Sequence, residues 1–198
     1  MDKRTFLKTG LLSVIGLSLA TKSQALEYYP TASDKKWAVV YSTWCGTARD
    51  AAVWISEGMD GIADVFDVRE NPDMSKFENI IVGGAIRSGK VSSLMQDYLM
   101  NNRGVLKTRL RGYFAVCGNM MQPVTPERQT QLIDNHIADL CGVKGLSAKV
   151  FLGRVTFGLM EEDVRKMMQN MEGIKEYDNL KRPECMAFGK EILEKTRK

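Results

Sequence analysis

The sequence predicts an α/β domain built on a doubly wound, five-stranded parallel sheet of order 2-1-3-4-5 with helices on both faces. Three observations carry that expectation. Short apolar runs alternate with stretches of helical periodicity along the whole of residues 26–198, the pattern of strands joined by crossover helices. The apolar runs are nearly continuous and do not alternate in polarity, as suits strands covered on both faces. Five such runs in a chain of this length fit one domain of that class, and no repeat, low-complexity stretch or internal boundary interrupts them.

Taken in order, Trp37 to Ser42 is the first strand, and Thr47 to Met59 is a helix with Ala51, Ala52, Ile55 and Met59 along one side. Ile62 to Val68 is the second strand, broken by Asn71-Pro72-Asp73. Phe77 to Ala85 is the third, and a helix runs from Val91 to about Asn102. Gly112 to Cys117 is the fourth strand, followed by a helix from Pro126, a residue suited to a first turn, to Leu140. Ala148 to Leu152 is the fifth, and helices around Glu161–Met171 and Pro183–Lys195 follow. The methionine-rich stretch Met160–Met171 reads as adaptable packing. His136, the single histidine, falls within a helix away from the strand ends, as a structural or exposed residue.

Residues 1–25 stand apart. A short basic stretch to Lys8, an apolar run from Thr9 to Ala20 and small residues around Ser23-Gln24-Ala25 follow the order of a secretory signal peptide cleaved near Ala25. The apolar run is too short for the ~20 residues of a spanning helix, although an uncleaved N-terminal anchor or an amphipathic helix is the alternative reading. Lys3-Arg4-Thr5-Phe6-Leu7-Lys8 resembles the twin-arginine export signal, with Lys3 in place of the first arginine. That resemblance implies a folded, cofactor-bearing protein delivered to the periplasm. The segment also holds Lys3, Arg4, Lys8 and Lys22 against Asp2, so three of the four formal positive charges belong to it. The remaining charge of +1 gives no ground for nucleic-acid binding, and the mature domain has no membrane span. Cys45, Cys117, Cys141 and Cys185 are spaced neither as a zinc site nor as a Cys-x-x-Cys pair. An oxidising compartment would permit disulfides, while burial as small apolar residues is the expectation for at least two of them.

In a doubly wound sheet the ligand lies beyond the carboxyl ends of the strands, where their order reverses. The loops after strands one, three and four are therefore the candidate site. The first reads Ser42-Thr43-Trp44-Cys45-Gly46-Thr47-Ala48 and opens a helix. Unpaired amides at a helix start attract a phosphate, and threonine hydroxyls can add donors; taken alone, the same residues are also an ordinary helix cap. No Gly-Lys-Ser/Thr or Gly-x-Gly-x-x-Gly follows, which excludes the nucleoside-triphosphate loop and the dinucleotide turn. The second loop is Ala85-Ile86-Arg87-Ser88-Gly89, and the third is Cys117-Gly118-Asn119-Met120.

These three loops, in this order, resemble those of the flavodoxin-like family, in particular the branch with the menaquinone-dependent protoporphyrinogen dehydrogenases. The first loop of that branch reads Ser-x-x-Gly-Ser/Thr-Thr, matched here from Thr43 except at Ala48, where a second hydroxyl is expected. Gly83 to Gly89 resembles its Gly-x-x-Ile-Arg-x-Gly segment. The resemblance implies bound FMN. It places Ser42 to Ala48 at the phosphate, Ala85 to Gly89 along the isoalloxazine edge, and Cys117 to Met120 on the other flank. It further implies electron transfer or a quinone-linked, FMN-dependent oxidoreductase reaction, with a redox partner protein or the membrane quinone pool. Arg87, if turned inward, would favour an anionic reduced flavin; a solvated loop charge is the other reading. Where the branch carries a basic, aromatic segment before its last helix, this chain has Gly158-Leu159-Met160-Glu161-Glu162-Asp163-Val164, a poor porphyrin or membrane contact. Ser88 and Met120 stand where ring-stacking aromatics are usual, which leaves a flavin-free binding or scaffold module as the alternative function.

Overall fold

A computed structural model describes residues 36–118, 122–170 and 175–197. The expected segment 1–25 lies outside them, as do Asn119 and Met120. The described chain forms one five-stranded parallel sheet: β1 (Trp37–Ser42), β2 (Ala63–Asp67), β3 (Asn79–Ala85), β4 (Leu110–Cys117) and β5 (Ser147–Leu152). Their spatial order is β2-β1-β3-β4-β5, as the alternation of apolar runs predicts. The chain leaves β1 toward one side for β2 and crosses to the other side for β3, so the order reverses between β1 and β3.

Strand side chains point alternately to the two faces, and both faces are covered. Trp37, Val39 and Tyr41 pack with Ile81, Phe114 and Phe151 under helix α1 (Thr47–Gly58). A C-terminal helix, residues 182–197, covers the same face through Phe188, Ile192 and Leu193. Ala38 and Val40 pack with Ile80, Val82 and Tyr113 on the opposite face. There they meet α2 (Ser93–Asn101), α3 (Arg103–Arg109) and α4 (Pro126–Leu132). A π-helical turn (Ile133–Ile137) continues α4 into the short α5 (Ala138–Cys141). Two further helices follow β5: α6 (Glu162–Gln169) and the C-terminal α7 (Arg182–Arg197). Full burial of a side chain such as Phe114 stabilises the fold by about 1.5–3 kcal/mol.

The helices α1 and α7 cross closely because both contribute glycine at the contact. A Cβ on Gly189 would lie 2.1 Å from the Ile55 carbonyl oxygen, and one on Gly58 would lie 2.0 Å from that of Met186. This packing fixes α1, and with it the loop that α1 opens from.

Boundaries move by a few residues from those expected. After β2 the chain turns at once into a 3-10 segment, Val68–Glu70, because the Asp67 and Glu70 side chains cap each other's backbone amides. Ser92 caps α2, its hydroxyl accepting from the Met95 amide at 3.3 Å. Two features were not expected from sequence. One is α3, and the other is a two-stranded antiparallel ribbon, β6 (Arg154–Val155) with β7 (Tyr177–Asp178). Among the described residues no helix is long and apolar enough to cross a membrane.

Candidate functional site

The loops that follow β1, β3 and β4 open onto one cavity of about 550 Å3, within the ~300–1,000 Å3 range of small-molecule and cofactor sites. Thr43, Trp44, Cys45 and Thr47 line it from the first loop, Ala85, Ile86, Arg87, Ser88 and Gly89 from the second, and Cys117 and Gly118 from the third. The loops are tied together at their bases. The Ile86 amide donates to the Val116 carbonyl (2.8 Å), the Gly153 amide to the Cys117 carbonyl (2.9 Å), and the Tyr177 hydroxyl to the Gly118 carbonyl. The β6–β7 ribbon thus braces the third loop.

At the first loop, Gly46 is the N-cap of α1 in the left-handed region (φ 79°), where glycine carries no side-chain penalty. It supplies no capping side chain, so the amides of the first turn remain available to an anion. The buried hydroxyls of Ser42 and Thr43 have no hydrogen-bond partner, a costly state in a protein interior unless a ligand or water answers it. Three expected residues stand outside the cavity wall. Ser42 is buried at the end of β1 against Gly84, Gly46 is the N-cap residue of α1, and Ala48 is fully buried on the inner face of α1. A hydroxyl at position 48 would point into that apolar layer, so the alanine there follows from packing.

The second loop is a tight two-residue turn. The Arg87 amide donates to the Lys90 carbonyl (2.9 Å) and the Lys90 amide to the Arg87 carbonyl (3.1 Å). Ser88 (φ 51°) and Gly89 (φ 81°) between them both have positive φ, the backbone of a type I′ turn. Arg87 lines the cavity and is paired as well: its guanidinium is 3.2 Å from Glu161 and 5.9 Å from the centroid of the Trp44 ring.

The remaining wall was not legible as a site. Val155, Met160, Val164, Met167 and Met168 line the cavity, with Arg128, Arg154 and Glu161 beside them. The methionine-rich stretch is therefore cavity wall as well as packing. Its signal was the spacing of 164, 167 and 168, one face of α6, with Met160 just ahead of that helix. Three guanidinium groups and one carboxylate stand among these lining residues, with Arg87 paired to Glu161. Arg154 is largely buried and paired with Asp50 (2.8 Å) and Asp178 (3.3 Å).

All four cysteines are free, with Cys117, Cys141 and Cys185 buried and Cys45 half-buried. Burial and the Glu161 carboxylate raise the Cys45 thiol against the pull of Arg87. Burial pushes Cys117 up to about 11. Both shifts disfavour the thiolate at neutral pH. His136 is not remote from the loops, contrary to expectation. Its Nε2 accepts the Val91 amide at 3.1 Å, one residue beyond the second loop's turn. Among the described residues no cluster of His, Cys, Asp or Glu is arranged to hold a metal ion.

A cavity at the carboxyl edge of a doubly wound sheet, at its switch point, is where proteins of this α/β class bind their ligands. Residues 38–180 match the family model described as Flavodoxin domain, and the chain belongs to that family. No curated protein matches it in sequence. Among solved structures it resembles a flavodoxin from the domain Archaea at 16% identity and a TM-score of 0.53, over 82% of this chain and 99% of that one. Oxidised flavodoxin 1 from Bacillus cereus aligns at 14% identity and a TM-score of 0.51, over 80% and 97%. A Fusobacterium nucleatum flavodoxin bound to flavin mononucleotide aligns at 14% and 0.50, over 82% and 97%. At such identities the likeness is one of fold.

Proposed function

We propose that this chain is an FMN-binding redox protein, exported to the periplasm, that passes electrons between a quinol pool or cytochrome and a partner protein. The observation that carries the flavin reading is the convergence of the three loops on one cavity whose α1 end presents an unbonded Thr43 hydroxyl and uncapped helix amides. These donors suit a phosphate monoester, and family membership favours FMN as its bearer. When bound, the flavin supplies one- and two-electron transfer that the protein only tunes.

The residues have separable tasks. Thr43, Thr47 and the first-turn amides of α1 would hold the phosphate. The Ser88 and Gly89 amides, left over by the turn's own pair of bonds, would face the ring together with Arg87. Cys117 and Gly118 would flank it, while Met160, Val164 and Met168 keep water out. Arg87 would favour added negative charge on the ring, opposed in part by Glu161.

Export rests on the order of basic, apolar and small residues in 1–25 and on the twin-arginine-like segment. Quinone linkage, with an FMN-dependent oxidoreductase activity, rests on the resemblance of the second loop. One observation favours the flavin-free alternative: Trp44 is the only aromatic side chain among the described lining residues, and Arg87 already lies over it. The deciding experiment is a visible absorption spectrum of the full chain purified from the periplasmic fraction. Flavin bands near one equivalent support both redox function and folded export. A colourless, folded protein that refuses added FMN refutes the flavin reading.

A further inference from the structure

We propose that His136 is a positioning residue for the cofactor site: its neutral imidazole clasps the end of the Arg87–Lys90 turn, so that protonation loosens the turn and weakens FMN binding. The proposal rests on the flavin reading above for its ligand, and on contacts within the chain for its mechanism.

The imidazole Nε2 accepts the Val91 amide at 3.1 Å. A nitrogen that accepts must be unprotonated, so the ring is neutral and carries its proton on Nδ1. Val91 is 2% exposed. Water cannot easily replace the imidazole there, and a lost acceptor leaves a buried donor unsatisfied. The Val91 carbonyl is occupied too, accepting Gln96 Nε2 at 2.9 Å. Val91 is thus gripped from both sides immediately after the turn whose Ser88 and Gly89 line the cavity.

The element bearing His136 is itself unusual. It sits on the π-helical turn Ile133–Ile137, whose end residues Ile133 and Ile137 are both buried in the core. Such turns are rare and concentrate at functional sites. Two influences keep the ring neutral: burial first, then the positive charge of Lys90 in the turn itself. Both lower its pKa from the ordinary 6.5. The same Lys90 repels the ring once it is protonated, so loss of the hydrogen bond and charge repulsion act in one direction.

The chain holds a single histidine, so its ring protons give an unambiguous NMR titration. The test follows that titration, the Val91 amide's exchange protection in the ligand-free full chain, and the Kd for FMN between pH 8 and pH 5. A second set of measurements uses His136→Gln, which keeps an acceptor that does not titrate. The expected result has the ring titrating below 6.5, with Val91 protection lost in step. One pH unit below the ring's pKa the clasped fraction is about a tenth, so the apparent Kd is about tenfold weaker. His136→Gln keeps only the shallower profile set by the FMN phosphate, whose second proton titrates at about 6, and lacks the further loss that follows the ring. Val91 protection that ignores the titration overturns the clasp, in wild-type protein and without any variant. Protection lost with an unchanged Kd, or the same pH profile in His136→Gln, overturns its coupling to the site. A chain that takes up no FMN at any pH overturns the coupling together with the flavin reading, while the amide result still decides the clasp.

Discussion

Arg154 Nη2 stands 2.8 Å from Asp50 Oδ2, joining the ribbon strand β6 to the first turn of α1. A carboxylate in that turn suits the helix dipole, yet it would repel a phosphate at the same helix end. Arg154 cancels the charge and, by reaching Asp178 as well, fastens the ribbon. The side chains are 18% and 23% exposed, between a surface pair worth ~0–1 kcal/mol and a buried one whose rupture costs ~3–5 kcal/mol. Arg154→Met is expected to cost about 1–2 kcal/mol in chemical denaturation and to weaken FMN binding about tenfold. Adding Asp50→Asn should recover most of the affinity; no recovery would place the effect in the ribbon and not in the charge.

Thr43 offers the opposite trade. Its buried hydroxyl is unbonded in the ligand-free protein, so Thr43→Val should leave thermal stability unchanged or raise it. A hydrogen bond to a charged group is worth about 1.5–3 kcal/mol, which puts the expected loss of FMN affinity at about 10- to 100-fold. Thermal melts without ligand and an FMN titration read the two effects separately.

The buried thiols make the fold sensitive to base. Burial pushes Cys117 to about 11 and Cys141 and Cys185 to about 12, from an ordinary 9.0. Above that ordinary value the unfolded chain loses its thiol protons while the folded chain keeps them. Stability is therefore full below about pH 9 and falls as pH rises toward the folded values, by at most about 1.4 kcal/mol per pH unit for each thiol. Denaturation at pH 8, 9 and 10 measures the slope, and Cys185→Ala should reduce it. In thiol counting at neutral pH only the half-buried Cys45 should react before unfolding.

Ser88 holds a positive φ in a turn that favours asparagine or glycine. Ser88→Asn should relieve part of that strain, roughly 0.5–1 kcal/mol, or a rise of a few degrees in Tm. An unchanged or lower Tm would show that the serine side chain is held by something other than the turn.

Gly189→Ala should be far more damaging than its chemistry suggests, since the new methyl would lie 2.1 Å from the Ile55 carbonyl oxygen. Overpacking of this kind costs about 1–3 kcal/mol or more. Gly104→Ala in α3, where a Cβ meets nothing within 4 Å, should stabilise by about 0.5–1 kcal/mol. The pair forms an internal control for denaturation measurements.

The strands were legible because Trp37–Ser42, Ile80–Val82 and Phe114–Cys117 are buried on both faces and so carry uninterrupted apolar runs. The three loops followed from them, since topology places the ligand at strand ends. Less was legible where the signal is short or distant. Gly104 and the charges around it hide α3, and a two-residue strand such as β6 has no period to detect. The bond between His136 and Val91 spans 45 residues, and nothing local to either residue announces it. The α6 face does carry a helical spacing, but spacing alone does not distinguish a cavity wall from a core.

The Arg87–Lys90 turn spends its outer amides and carbonyls on itself and leaves the Ser88 and Gly89 amides for whatever enters the cavity. Those two donors belong to the main chain, which every residue but proline possesses. A protein that reads its ligand in this way can exchange side chains along the loop and keep the same hydrogen bonds, provided the two torsions survive. Kinship at this site is better sought in the sign of two backbone angles than in the letters that carry them.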